Sequence, residues 1–309
     1  MVCRVVSLSL IQRLKPSHLK LIRAIHDSGK LQLAAEQVGM SQPAASRLLS
    51  EIESDAGGAL FERLPHGMAP TPIGAAFVRH AQVILAEVDA LTNEIDQLRG
   101  GMAGAVRVGA VTGPAVGALV PALMEVRADL PDIHPTIEVA PSVTLIRGLE
   151  EGRFDFVLAR ITSGNEVRAF HAFPGRTEQI CLLARRTHPL AGRKISLAET
   201  LPYEFVIQEP GSPIRTAMEN AFLSNSLQTP AKVTNSSSLL VALSILTRSD
   251  AIAPQTCEVA QLTTRAASEL TILDTREDII VPSFLVLQAR HRQLPPIAQR
   301  LLDAVLCRL

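Results

Sequence analysis

The sequence predicts a multidomain α+β protein with an N-terminal winged helix-turn-helix, a long linker helix and a C-terminal α/β part made of two subdomains. Two short helical segments joined at a glycine lie between Ala34 and Leu49. Apolar residues then recur at alternating intervals of four and three from Phe77 to Leu98, which is a heptad pattern. From Ala105 onward, short β-branched runs alternate with helical stretches, as is typical of α/β architecture.

Length and charge limit the class of protein. The chain has 309 residues, 47% of them hydrophobic, which is enough for more than one domain with buried cores. The formal net charge is zero, although residues 1–75 hold eight Lys and Arg against six Asp and Glu. This slight excess permits nucleic-acid binding at the N-terminal end without requiring it. No apolar run approaches the ~20 residues of a membrane span, so we expect a cytoplasmic protein without a membrane partner.

The cysteines and the N-terminal segment give two further expectations. Cys3, Cys181, Cys257 and Cys307 show neither CxxC nor zinc-site spacing, so we expect four reduced, mostly buried thiols. A redox switch formed by Cys181 and Cys257 is the alternative. The start, MVCRVVSLSLIQRL, has a short apolar part and no small-residue cleavage site. We interpret it as a loose N-terminal extension, which a start codon assigned too far upstream would explain.

Three helices are predicted between Pro16 and about Pro72. Pro16 suits a helix start, and the apolar spacing of the first helix continues to Ser28–Gly29. A second helix ends at Gly39, and Ser41 caps a third. The residues expected to point outward from the N-terminal part of the third helix are Gln42, Pro43, Ala45, Ser46 and Arg47.

This outward face indicates contact with DNA, because the corresponding part of a helix-turn-helix enters the major groove. Amides there can bind adenine, hydroxyls can bind bases or phosphate, and Arg can bind guanine or phosphate. A two-stranded wing follows, with Arg63 and His66 placed to contact the sugar-phosphate backbone. The alternative is an ordinary helical hairpin with a solvated face. The predicted DNA-binding residues are Lys30, Gln32, Ser41, Gln42, Pro43, Ser46, Arg47, Arg63 and His66.

The motifs of this region resemble a known family. AAEQVGMSQPAASRLLSEIE, LFER and TPIGAAF, in this order, resemble the N-terminal signature of LysR-type transcriptional regulators. Lys30 stands where Ser or Thr is common, Ala56 where Leu is usual, and Leu48 where a polar residue is frequent. The departure at Lys30 affects a phosphate contact, and the departure at Leu48 leaves fewer groups that can contact bases. The resemblance implies promoter or operator double-stranded DNA, a small-molecule effector and RNA polymerase as partners.

One long helix is predicted from Thr71 to about Arg99. Thr71 suits its N-cap and Pro72 its first turn, and the glycines at 100, 101 and 104 end it in a hinge. An apolar stripe only two heptad positions wide favours pairing with a partner helix. The alternative is that the helix packs on its own domain. The predicted dimerisation residues are Phe77, Ala81, Ile84, Val88, Leu91, Ile95 and Leu98.

The α/β part is predicted to form two subdomains with a cleft between them. Its β-α-β-α-β rhythm implies a parallel, doubly wound sheet. The resemblance implies a periplasmic-binding-protein-like effector domain, with chain crossings near Ile161–Phe173 and Leu273–Val281, in a homodimer or tetramer. The predicted domains are residues 14–72 (winged helix-turn-helix), 73–101 (linker and dimerisation helix) and 104–309 (effector domain), with subdomain I at about 104–162 and 277–309 and subdomain II at about 163–276.

Short polar side chains follow the predicted strands of this part, and ligands of open α/β sheets bind beyond the carboxyl ends of strands. The predicted effector-binding residues are Thr112, Ser142, Val143, Thr144, Arg160, Ser212 and Ser236. Each hydroxyl could instead be a helix N-cap, and Arg160 could instead pair with Glu209 or Asp155. The expected effector is a small organic acid or a sugar. FDFVLARI resembles the sugar-metabolism and protocatechuate-type branch of the family.

Motifs typical of enzymes are missing from the sequence. It contains no P-loop, no GxSxG, no HExxH and no GxGxxG after a strand. We therefore expect no enzyme activity, no cofactor and no metal. The leading hypothesis is a sequence-specific DNA-binding regulator whose α/β domain binds a small molecule. The alternative is an α/β solute-binding or enzymatic module with a helical dimerisation domain that does not bind DNA.

Overall fold

A computed structural model describes residues 14–65, 67–99, 104–161, 169–290 and 292–309. The predicted N-terminal extension, with Cys3, lies outside the described residues, as do His66 and the glycines at 100 and 101. The chain forms two compact units. We call them the winged unit, which comprises the described residues up to Arg99 together with Arg147–Arg153, and the α/β unit, which comprises Gly104–Ile146 and the described residues from Phe154 to Leu309. No helix in the described part of the chain is long and apolar enough to span a membrane.

The winged unit has the predicted helices and wing. Gly29 (φ 64°) ends the first helix and Gly39 (φ 70°) turns the chain between the second and third, in a backbone region that favours glycine. Ala34 and Ala35 are buried where these helices pack. The elements are α1 (Pro16–Ser28), α2 (Leu31–Gln37), α3 (Gln42–Ala56), β1 (Phe61–Leu64), β2 (Gly67–Pro70) and α4 (Pro72–Arg99).

One expectation for α3 is wrong. The sequence predicts that Ala45 points outward, but this residue is fully buried. It lies four residues before Leu49 on the same helical face, and both belong to the core of the winged unit. Ala45 therefore packs against the other helices and presents no group to a ligand.

The α/β unit is built around two five-stranded sheets, and short helical segments at Thr112–Pro114 and Ala115–Leu119 follow its first strand. Its strands are β3 (Ala105–Ala110), β4 (His134–Val139), β5 (Phe156–Ala159), β6 (Phe170–Pro174), β7 (Glu178–Arg185), β8 (Lys194–Ile195), β9 (Phe205–Ile207), β10 (Val233–Asn235), β11 (Ala253–Thr256), β12 (Leu270–Thr275), β13 (Ile280–Val281) and β14 (Leu285–Ala289). Its other helices are α5 (Val120–Asp129), α6 (Ser142–Glu150), α7 (Leu197–Thr200), α8 (Pro213–Ser224), α9 (Leu239–Leu246), α10 (Cys257–Ala266) and α11 (Pro296–Leu306).

The two sheets differ in how closely they follow the predicted parallel arrangement. The first has the order β4-β3-β5-β14-β6, parallel from β4 to β5, with β14 antiparallel to β5 and β6. The second has the order β11-β7-β12-β8, with β7 antiparallel to β11, β12 and β13. A fully parallel sheet is therefore the wrong expectation. The expectation fails at β7 and β14, because each of these strands enters its sheet from the other sheet and not through a local β-α-β unit.

The chain passes from the first sheet to the second between Pro174 and Glu178, and it returns between Val281 and Leu285. Both passages lie a few residues beyond the predicted crossings. β6, β8, β13, α7 and α10 were not predicted. β8 and β13 have two residues each, α7 has four, and α10 follows directly on a strand. Each sheet packs against apolar helix faces, as Phe156 does beside Leu301 in the first and Leu182 beside Phe222 in the second.

The expectation of a reduced thiol is wrong for Cys181 and Cys257, the pair named in the alternative, and the expectation of burial is wrong for Cys307. Cys181 of β7 and Cys257 of α10 form a disulfide with a Cα–Cα distance of 4.9 Å. The sheet register places Gln255 opposite Cys181, so the chain brings the first residue of α10 within bonding distance. Cys307 is free and exposed.

Candidate functional site

The N-terminal turn of α3 forms an exposed polar face. The Ser41 hydroxyl caps the helix by accepting a hydrogen bond from the Ala44 amide at 3.4 Å. Gln42, Pro43 and Arg47 are exposed and Ser46 is half-buried. The Arg47 Nε donates to the Pro43 carbonyl at 3.4 Å, which holds the guanidinium beside this first turn. The predicted recognition residues therefore lie together on a surface that a ligand can reach.

The start of α2 contributes two more of the predicted residues. Lys30 is the exposed N-cap residue of α2, and its amide donates to the Ser28 hydroxyl at 3.4 Å. Gln32 is also exposed, and its amide donates to Glu36 at 3.4 Å. The Lys30 side chain is exposed and has no ion-pair partner among the described residues, whereas Gln32 is held by its own helix.

The wing is attached to the end of α1 through its glycine. The Met68 amide donates to the Gly29 carbonyl at 2.7 Å. A Cβ atom on Gly67 would lie 2.5 Å from that same carbonyl oxygen, so the close approach requires glycine. Arg63 is opposite Met68 in the wing and is exposed. His66, the predicted residue at the tip, lies outside the described residues.

Three cations of the winged unit are not neutralised by any of the residues that the structure describes. Lys30, Arg47 and Arg63 are exposed, and among the described residues none of them forms an ion pair. Exposed cations without partners are suited to phosphate contacts, because they bind without first breaking an internal pair.

The predicted heptad stripe of α4 divides into two parts. Phe77 is half-buried and Ala81 fully buried, and both pack against Leu19 of α1 in the core of the winged unit. The next four residues are exposed in the single chain. Their exposed fractions are 42% for Ile84, 41% for Val88, 58% for Leu91 and 40% for Ile95. The side chain of Leu98 lies outside the described part of the chain.

In the α/β unit, Ser142 and Arg160 meet at the end of β5. The Arg160 amide donates to the Ser142 hydroxyl at 3.0 Å. The Arg160 guanidinium donates from Nε to the Pro282 carbonyl at 2.9 Å and forms an ion pair with Glu178. The two alternative partners considered for Arg160 are therefore wrong. One of them, Asp155, instead lies 3.6 Å from Arg292.

Glu178 lies at the centre of this group. Its exposed fraction is 2%. A Cβ atom on Gly113 would overlap the Glu178 Oε1 and would lie 2.9 Å from the Thr256 hydroxyl. Glycine at this position thus allows the main chain after β3 to approach both side chains. Burial raises the pKa of the Glu178 carboxyl, against the opposing effect of the Arg160 guanidinium.

A second ion pair lies next to this group. The Arg176 Nη2 donates to Glu258 Oε1 at 3.0 Å and to the Gly117 carbonyl at 3.3 Å. Gly117 belongs to the π-helical stretch Ala115–Leu119, a local geometry that is frequent at functional sites. We call Gly113, Glu178, Arg160, Thr256, Arg176 and Glu258 the acidic cluster.

The other predicted effector residues follow different strands of the α/β unit. Thr112 is exposed just before Gly113, and Val143 and Thr144 are exposed in the first turn of α6. Ser212 caps α8 by accepting from the Arg215 amide at 3.3 Å. Ser236 accepts from the Ser238 amide at 3.2 Å. The last two follow the parallel strands β9 and β10, so they share one sheet edge.

Sequence reasoning missed most of the acidic cluster. Glu178 and Arg176 lie where the chain passes between the sheets, a place that strand-end reasoning does not consider. The predicted strand ended at Pro254, but β11 extends two residues further, to Thr256. With the correct strand end, the same reasoning would have found Thr256. Within the described parts of the chain, no group of three or more His, Cys, Asp or Glu is arranged to hold a metal ion.

Two family models match the chain. Residues 16–75 match the model described as bacterial regulatory helix-turn-helix protein, lysR family, and residues 99–309 match the LysR substrate binding domain. The transcriptional regulator GbpR of Rhizobium radiobacter is 34% identical over 248 residues, which cover 79% of this chain and 82% of that protein. GbpR of Azospirillum brasilense is 30% identical over 295 residues, 95% of this chain and 86% of that protein.

Solved structures show the same fold. Full-length CbnR complexed with its target DNA has a TM-score of 0.63 at 19% identity, covering 96% of this chain and 100% of that one. A full-length OxyR variant of Pseudomonas aeruginosa has a TM-score of 0.59 at 18% identity, covering 96% and 94%. The two family models and the GbpR relatives decide against the alternative of a module that does not bind DNA. The chain belongs to the LysR family and is a DNA-binding transcriptional regulator with an effector-binding domain.

Proposed function

We propose that this regulator binds operator DNA as a homodimer or tetramer, with the N-terminal turn of α3 in the major groove. Gln42 and Ser46 contact base edges, Arg47 contacts a base or a phosphate, and Arg63 contacts the backbone. The observation that supports this most strongly is the exposed polar turn of α3, together with exposed cations that form no ion pair among the described residues. Residues 73–101 then serve as the linker between winged domains.

We further propose that the domain at residues 104–309 binds a small organic acid or a sugar and thereby alters promoter binding. Ser142 and Arg160 already meet at the carboxyl end of β5, which is where ligands of α/β sheets bind. Thr112, Val143, Thr144, Ser212 and Ser236 complete the proposed surface. The protein acts in the cytoplasm, with RNA polymerase as a further partner and without enzyme activity of its own.

A gel-shift with DNA from upstream of the protein's own gene tests the proposal. We expect a discrete complex that survives an excess of unrelated DNA. A protein that binds both DNAs equally would contradict sequence-specific recognition by α3.

Arg63→Ala is expected to weaken binding to all DNA sequences by a similar factor, because a phosphate contact carries no sequence information. The slope of log affinity against log salt should become shallower by about 0.9, the value for one lost phosphate contact on B-DNA. Arg63→Lys is the matched control, since it keeps the charge and should keep the slope. If Arg63→Ala leaves the salt slope unchanged, the wing does not contact the backbone through this residue.

A further inference from the structure

Two half-buried cysteines of the α/β unit are joined although they lie far apart in the sequence. Cys181 belongs to β7, and Cys257 is the first residue of α10, 76 residues further along the chain. Their Cα atoms are 4.9 Å apart, within the range of disulfides. Because neither residue is fully buried, a small thiol or peroxide can approach the sulfur atoms. The proposed DNA and effector contacts use neither side chain.

A disulfide is unusual in a protein that binds promoter DNA inside the cell. Glutathione- and thioredoxin-type reductants keep cytoplasmic thiols reduced, and the disulfides that do occur there are usually transient, catalytic or redox-sensing. The inference therefore rests on the proposed function, which places this chain in the cytoplasm. In that compartment the bond between Cys181 and Cys257 fits a site that opens and closes better than a permanent cross-link.

The sheet holds the two thiols close together in either redox state. β11 pairs with β7 so that Gln255 lies opposite Cys181, and Cys257 follows Gln255 by two residues. Cys181 also packs against the apolar cluster that contains Ala260 of α10. These main-chain and apolar contacts do not depend on the S–S bond, so the bond can open and form again without unfolding of the sheet.

The start of α10 joins the second sheet to parts of the chain near the first. Glu258, the neighbour of Cys257, forms an ion pair with Arg176 in the passage between the sheets. A Cβ atom on Gly117, in the helical stretch after β3, would lie 2.8 Å from the Glu258 Cγ. The S–S bond thus fastens to β7 the same helical turn that makes these contacts. Opening the bond gives this turn more freedom and loosens the connection between the two halves of the unit.

We propose that Cys181 and Cys257 are a redox-active pair, closed by a hydroperoxide and opened by a cytoplasmic dithiol, whose state changes operator affinity. In closing, one thiolate attacks the O–O bond of hydrogen peroxide and becomes a sulfenic acid, and the hydroxide released takes up a proton to give water. The second thiolate attacks the sulfenic sulfur, the S–S bond forms, and a second water is released. The two thiols lose two electrons to one peroxide.

Opening follows thiol–disulfide exchange. A thiolate of the reductant attacks the Cys181 sulfur, and Cys257 leaves as a thiolate. The start of α10 suits this leaving group, because the main-chain N–H groups there stabilise negative charge. The second thiol of the reductant then attacks the mixed disulfide and releases Cys181. The reductant ends as its own disulfide, and its two protons pass to the two cysteine sulfurs.

Thiol labelling tests whether the pair reacts in the folded protein. The full chain carrying Cys307→Ser is treated with dithiothreitol without denaturant and then with hydrogen peroxide, and free thiols are labelled with a maleimide and located by mass spectrometry. We expect Cys181 and Cys257 to be labelled after the dithiol and protected again after the peroxide. If they are labelled only after unfolding in urea, the bond is a structural cross-link and the proposal fails.

Operator affinity tests whether the redox state matters, with the DNA fragment from upstream of the protein's own gene as the probe. Reduced and oxidised wild type should differ by at least about fivefold, the lower end of typical coupling between two sites. Cys307→Ser should keep this difference. Cys181→Ser and Cys257→Ser should each lose it and bind like the reduced wild type under both conditions, so either variant suffices if the other fails to fold.

The outcomes separate this inference from the proposed function. If the wild type binds the fragment equally in both redox states, or if the difference survives in Cys181→Ser and Cys257→Ser, the redox inference fails and operator binding stands. If neither state prefers the fragment to unrelated DNA, the proposed recognition fails, and redox control of operator affinity fails with it.

Discussion

Replacing Ile84 and Leu91 together with aspartate is expected to convert the assembled regulator to monomers and to abolish measurable operator binding. Both side chains are exposed in the single chain, at 42% and 58%, on the stripe of α4 that we assign to a partner helix. A pair of charges in an apolar seam would lose hydration without gaining a partner. Operator affinity should collapse because paired half-sites are bound by a dimer. Light scattering and gel-shift measure the two effects.

The control keeps the same positions apolar. Ile84→Val with Leu91→Val should retain the native mass and operator affinity, and circular dichroism should show that both double variants are folded. If the aspartate variant also keeps its native mass, the exposed stripe of α4 is not the surface through which copies of this chain associate.

Gly74→Ala is expected to destabilise the winged unit and to prevent DNA binding. A Cβ atom at this position would overlap the Leu60 carbonyl oxygen and would lie 2.7 Å from the Leu60 carbonyl carbon. Because the obstacle is main chain in the connection before the wing, it cannot rotate away, as a flexible side chain could. The Thr71 amide also donates to the same carbonyl, at 2.9 Å. Overpacking of this kind typically costs about 1–3 kcal/mol, occasionally more.

Gly58→Ala is the matched control in the same unit. Its Cβ would meet the Ile73 Cδ1 at 3.2 Å, and this side-chain methyl can shift. Unfolding in urea can be monitored by protease cleavage within the winged unit. It should show a large loss of stability for Gly74→Ala and little for Gly58→Ala. Equal stability of the two variants would mean that the start of α4 moves away from Leu60 easily.

The sequence was most informative where local chemistry determines local structure. Ser41 and Pro43 predicted the start of α3, and glycines 29 and 39 predicted the turns before it, because capping and left-handed backbone conformations depend on single residues. The wrong orientation of Ala45 arose in the same helix. An alanine near the start of a helix contributes little to the apolar periodicity, so the burial of Ala45 depends on how α3 packs against the other helices.

The α/β unit was predictable as a class but not in its strand directions. Local patterns identified β3, β4 and β5, whereas the antiparallel pairing of β14 with β5 joins residues far apart in the chain. The acidic cluster shows the same limit. Glu178 lies 18 residues from Arg160 in sequence, and only the passage of the chain between the sheets brings the two side chains together. Strand-end reasoning therefore found Ser142 and Arg160 but not the carboxylate that neutralises the arginine.

Selection of binding sites from a random DNA pool tests most directly whether α3 is the recognition helix, because the operator sequence need not be known beforehand. The wild type should enrich a motif of two related half-sites. Gln42→Ala and Ser46→Ala should each lose a base preference within the half-site and weaken specific binding by roughly 1–3 kcal/mol. Ser50→Ala, at an exposed serine one turn further along α3, should enrich the wild-type motif. An unchanged motif from Gln42→Ala and Ser46→Ala would contradict the assignment of α3 as the recognition helix.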